Sequence, residues 1–164
     1  MATHAVPAPT PAPATGGVSR LLYRARTEPA YGAFVMLWAG FTVLPIVMGL
    51  DKFANLLTNW ESYLAPWVVH LLPFSAHTAM LVVGVVEIVA GVLVALKPRY
   101  ASYVVALWLA GIVINLLTYS GYYDIALRDF GLLLAALTLA RLAGVYDTAW
   151  HQRAVSPEKA GGRR

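Results

Sequence analysis

The chain has no cysteine in its 164 residues. That excludes disulfides, thiolate metal sites, cysteine nucleophiles and cysteine-ligated iron–sulfur clusters, and it leaves the redox compartment open. Charge is also scarce. Only 12% of the residues are Asp, Glu, Lys or Arg, against about 25% in an ordinary soluble domain. The sequence has no phosphate-binding loop, no dinucleotide glycine fingerprint, no nucleophile elbow and no histidine pair suited to haem. His70 and His77 are separated by Pro73 and stand at no metal-type spacing from a carboxylate, so no metal site is expected. The net charge of +4 does not point to nucleic acid, because the basic residues flank apolar runs.

Long uncharged runs dominate what is present. Spans are expected at 31–50, 76–96, 101–119 and 125–143. Each is about 20 residues, the length that crosses a hydrocarbon layer of about 30 Å as a helix. The expected fold is all-α: a transmembrane four-helix bundle with an interfacial amphipathic helix between the first and second spans. Residues 1–30 read as a disordered Pro/Ala-rich stretch, without the basic start and apolar core of a signal peptide, followed by a basic cytoplasmic approach. Residues 31–143 read as the membrane domain, and 144–164 as a disordered basic tail. Pro45 should kink the first span by freeing the carbonyl of Phe41. The short "KPR" at 97–99 makes the second and third spans antiparallel neighbours.

Between the first two spans, Phe53, Leu56, Leu57, Trp60, Leu64 and Trp67 recur at helical spacing, and Pro66 and Pro73 interrupt the pattern. This predicts an amphipathic helix lying in the interface, then a short re-entrant or covering piece. Four crossings put both termini on one side, with Arg20, Arg24, Arg26, Lys97, Arg99, Arg141, Arg153, Lys159, Arg163 and Arg164. Only Lys52 and Arg128 remain opposite, so both termini are expected in the cytoplasm. Tyr100 and Tyr103 mark the inner interface; Trp60, Trp67, Tyr119, Tyr122 and Tyr123 mark the outer one. Trp60, Tyr63 and Trp67 read as an interface belt, or as the wall of a ligand pocket.

The polar residues inside the spans are the candidates for function. Glu87 lies near the middle of the second span, where an ionised acid costs roughly 2.5–3.5 kcal/mol on insertion scales. The neutral acid is expected there unless a cation lies near. Gly84 and Gly91 share its face and would let a neighbouring helix approach, so Glu87 should point into the bundle. It is either a helix-bridging acid or a proton carrier or hydrogen-bond partner for a quinone-like headgroup. Asn115, with Gly111 and Thr118 on its face, suggests an interhelical hydrogen bond. Asp51 and Lys52 close the first span, and Arg128 and Asp129 open the fourth. Pairs of Asp51 with Arg128 and of Lys52 with Asp129 would clamp those ends, or Lys52 and Arg128 would hold an anionic headgroup.

The patterns "GLDKF" at 49–53, "VEIVAG" at 86–91 and "YYDIALRDFGLLLAA" at 122–136, in this order, resemble the DoxX-like family of small four-helix bacterial membrane proteins. The resemblance covers roughly residues 31–143 and carries over the family's recurrent positions to Gly49, Lys52, Glu87, Gly91, Arg128 and Asp129. It implies an inner-membrane protein. Some members look like the small subunit of a thiosulfate:quinone oxidoreductase, and others are linked to oxidant handling. The expected function is a non-catalytic accessory subunit of a membrane redox complex, with quinone as a possible cofactor. Its expected partners are membrane lipids and either redox subunits or further copies of the chain. The alternatives are a small transporter or channel-like oligomer in which Glu87 carries a proton, and an enzyme at the outer face using Lys52, Arg128 and Asp129.

Overall fold

The computed structural model describes residues 17–155. Helix α1 (Gly17–Thr27) is followed by α2 (Pro29–Ala54), a 3₁₀ turn (Trp60–Tyr63), α3 (Pro66–Leu71), α4 (Ala76–Leu96), α5 (Pro98–Leu117) and α6 (Tyr123–Val155). The described residues contain no strand. Among them α2, α4 and α5 are long and apolar enough to cross a membrane, with most of each span's surface left uncovered by the rest of the chain. This marks a membrane protein. The fourth expected span lies within α6, which carries Arg128, Asp129 and Arg141.

Three expectations about the flanks and the connection change. Residues 17–27 of the expected tail and approach are helical, and α6 continues past 144 to Val155; the other tail residues lie outside the described ones. The third change is in 51–75, which is not an amphipathic helix. α2 stops at Ala54 because Asn55 adopts the left-handed conformation (φ 50°) and its N–H donates to the Asp51 carbonyl, closing the last turn. Pro66 then starts α3 from an extended Ala65, and α3 is a helix of 6 residues. Helical spacing of the aromatics cannot prevail over a left-handed stop and two prolines.

The long helices pack as two close pairs, α2 with α4 and α5 with α6. Lipid tails are as apolar as the side chains, so the pairing rests on shape and not on water exclusion. Glycine provides the shape for α2 and α4. A Cβ at Gly49 would sit 2.6 Å from the Gly84 carbonyl oxygen, and one at Gly84 would sit 2.7 Å from that of Gly49. At Gly91 it would meet the Thr42 carbonyl oxygen and Ile46 Cγ1, each at 2.7 Å. Gly111 is different: a Cβ there meets nothing within 4 Å, so it is not a packing glycine of this bundle. Between α5 and α6 alanine takes that part, with Ala101, Ala106, Ala136, Ala140 and Ala143 all buried.

The two pairs meet at one end and part at the other. At the closed end Tyr31, Phe34, Val94, Val105 and Leu139 form the buried core, and Tyr146 packs edge-on to Tyr31 at 5.3 Å between centroids. Lys97 alone links α4 to α5, capping the first and preceding Pro98 of the second. Towards the opposite end a cavity of about 1030 Å³ separates the pairs.

Substituting Gly84 by Val should lower stability by about 1–3 kcal/mol, the usual range for overpacking, because the obstacle is backbone and cannot rotate away. Gly111→Ala should be nearly neutral. Unfolding midpoints of both variants in mixed micelles test the contrast.

Candidate functional site

Gly49 and Gly84 each stand three residues before a charged side chain, Lys52 and Glu87. The close crossing therefore brings the two charges together. Lys52 Nζ donates to Glu87 Oε2 at 2.6 Å, with 5% of the lysine and 15% of the glutamate side chain exposed. The lysine lies over the Trp60 ring, 3.9 Å from its centroid. Its charge is thus met by a carboxylate on one side and an aromatic face on the other, the two environments that best replace water around an ammonium. Glu87 does point into the bundle, and it bridges helices through a cation.

The expected end-to-end pairings are corrected. Lys52 binds Glu87 and not Asp129. Asp51 does not hold Arg128; it is the anchor of the chain that follows it. Its carboxylate accepts from Trp60 Nε1 at 2.7 Å and from the backbone N–H groups of Leu56 at 3.2 Å and Leu57 at 3.2 Å. Arg128 donates through Nε to its neighbour Asp129 at 3.2 Å, with its side chain largely exposed and that of Asp129 buried.

Asn115 replaces the expected interhelical bond with a bond to this irregular segment. Its amide donates to the Tyr63 carbonyl at 2.8 Å and accepts from the Ala65 N–H at 3.0 Å. One side chain thereby satisfies two backbone groups that no helix serves. Trp67 Nε1 donates to Thr118 Oγ1 at 2.8 Å, and His77 is bonded to Glu61 at 2.9 Å. Tyr63 packs on Tyr122, and Tyr122 on Tyr119, each at 5.1 Å. Residues 55–72 form a pinned lid over the cavity.

Glu87, Lys52, Asn115, Arg128 and Asp129 all line that cavity, together with Trp60, Tyr63 and Trp67 from the lid. The aromatics read as an interface belt are therefore also a pocket wall. The remaining wall is apolar, from Met36, Leu44, Ile112 and Leu132 among others. Met36 is 77% exposed and Ile114 60%, so parts of the cavity wall are left uncovered by the rest of the chain. Gly40 and Gly111 both line it with open space where a Cβ would be. Such a chamber fits a molecule with an apolar body and a hydrogen-bonding head. Among the described residues no three His, Asp or Glu side chains gather as metal ligands.

Sequence reasoning did not foresee Trp60 as the group joining Asp51 to Lys52. The signal was present: a helix ending in Asp-Lys, followed by Asn55 and an indole. The chain matches no protein-family model, no curated protein and no solved structure.

Two outcomes are expected. Lys52→Met, which strands a buried carboxylate, should cost about 3–5 kcal/mol, and adding Glu87→Leu should restore much of the loss; a double-mutant cycle of detergent unfolding measures both. Asn115→Ala should raise amide hydrogen exchange at 63–68 by at least tenfold, on the basis of about 1–3 kcal/mol for each backbone group left unpaired. Exchange in α4 should stay unchanged.

Proposed function

We propose that the chain is an integral inner-membrane protein of the DoxX-like kind, without catalysis of its own. In this reading it binds a lipid-soluble quinone as the accessory subunit of a membrane redox complex. α6 makes a fourth crossing, and both termini face the cytoplasm. The order of the three sequence motifs supports the family assignment, and the distribution of Lys and Arg supports the orientation. One observation carries the functional reading: a largely apolar cavity lined also by the Lys52–Glu87 pair beside Trp60. Quinones have that division, with an isoprenoid body and a head that accepts hydrogen bonds. Lys52 and Arg128 supply donors for its carbonyl oxygens. In this reading Glu87, which lines the cavity, exchanges a proton with a head seated there. The chain itself contributes binding and proton handling; the electron carrier would sit in the partner.

Titration of the purified protein with a short-chain alkyl benzoquinone should quench Trp60, Trp67 and Trp108, which all line the cavity, with a saturable curve. Gly111→Leu should intrude on the cavity, weaken binding by at least tenfold and leave the unfolding midpoint unchanged. Linear quenching, or equal binding by the variant, would overturn quinone binding. Recovery from mild detergent only as a lone chain would overturn the accessory role.

A further inference from the structure

The closed end of the molecule carries charge of one sign on an apolar collar. Gly32 lets α1 fold tightly against α2, since a Cβ there would stand 2.6 Å from the Ala25 carbonyl oxygen. Ala25 packs on the core, whereas Leu21 and Leu22 remain exposed and Arg26 is exposed beside them. Lys97 in the link between α4 and α5 and Arg99 in the first turn of α5 are exposed, flanked by exposed Leu96 and Tyr100. Arg141 on α6 is exposed as well. Among the described side chains Glu28 is the one carboxylate at this end. It is already bound to Arg24 at 2.9 Å, and the Arg24 guanidinium lies 4.5 Å from the Tyr31 ring centroid. Asp147 lies outside the described side chains. The Arg99 guanidinium lies 5.5 Å from the Tyr100 ring centroid, and Arg26 and Lys97 have no carboxylate partner among the described side chains, so these cations sit level with exposed leucines and a tyrosine at the ends of apolar helices.

We propose that this collar seats the headgroups of anionic phospholipids. α1 lies in the interface with Leu21 and Leu22 among the upper acyl carbons, and Arg26, Lys97 and Arg99 bind lipid phosphates. Charge complementarity selects the occupant. Three cations without an acidic partner among the described side chains favour an anionic surface over a zwitterionic one by about 1 kcal/mol each near the membrane. The exposed leucines add an apolar contact that a soluble anion could not use. The proposal is independent of what fills the cavity.

The test is native mass spectrometry of the full-length protein released from nanodiscs of equimolar phosphatidylglycerol and phosphatidylcholine. Phosphatidylglycerol should be retained in clear excess, and less so as salt is raised. Arg26→Gln/Lys97→Gln/Arg99→Gln should lower its apparent affinity about 100-fold, roughly fivefold per charge, with helicity by circular dichroism unchanged. Leu21→Ser/Leu22→Ser should weaken retention without altering the salt dependence. Equal retention of the two lipids, or full retention by the triple variant, would overturn the proposal. Displacement of the lipid by millimolar inorganic phosphate would also overturn it, in favour of a soluble-anion site. If the triple variant lost helicity, the lipid preference and salt dependence of the unaltered protein would decide.

Discussion

An ammonium and a carboxylate inside an apolar layer must find each other, and the contact between Lys52 and Glu87 (2.6 Å) is the constraint on which the architecture depends. Either charge alone at that depth is costly. Joined, and with the Trp60 ring against the free side of the lysine, they exchange water for a fixed set of partners. The junction exists only because two backbones come within van der Waals range at Gly49 and Gly84. Small residues and charged residues are therefore one device, in which the glycines set the separation and the ion pair sets the register of α2 against α4.

The same logic governs the lid. A stretch of irregular backbone has no helical ladder to take its polar groups. Asp51 takes two backbone N–H groups and an indole N–H on one side of it, and Asn115 takes a carbonyl and an N–H on the other. Asp51 and Lys52 are adjacent yet divide the work: one orders the chain that follows α2, and the other joins α2 to α4. Both converge on Trp60, which donates to the aspartate and shields the lysine. The lid, the ion pair and the cavity they line are thus mechanically one unit.

Much of this was legible in the sequence, because long apolar runs and the glycines flanking Glu87 report local and nearest-neighbour physics. The helices α2, α4 and α5 lie where uncharged runs of the right length placed them, and Glu87 faces inward as Gly84 and Gly91 imply. Charge pairing was not legible. Proximity to the same membrane boundary suggested Lys52 with Asp129, but a lysine stem can reach a full helical turn inward, and helix separation decides which acid it meets. The 51–75 segment misled for another reason. Its aromatics keep helical spacing, while the left-handed Asn55 and the prolines dictate the backbone path, and the bonds from Asp51 and Asn115 depend on a tertiary arrangement that spacing does not encode. Gly111 shows the converse: its position beside Asn115 suggests packing, but the structure leaves it facing open volume.

The pairing of α2 with α4 also bears on biogenesis. Both buried charges belong to consecutive hydrophobic helices, and everything needed to neutralise them, Trp60 included, has been synthesised by Leu96. The hairpin can close within the insertion machinery before α5 emerges, so neither charge has to wait unpartnered in lipid for the second half of the chain. The alanine-lined pair of α5 and α6 follows in the chain, joined to the first pair through Lys97 alone.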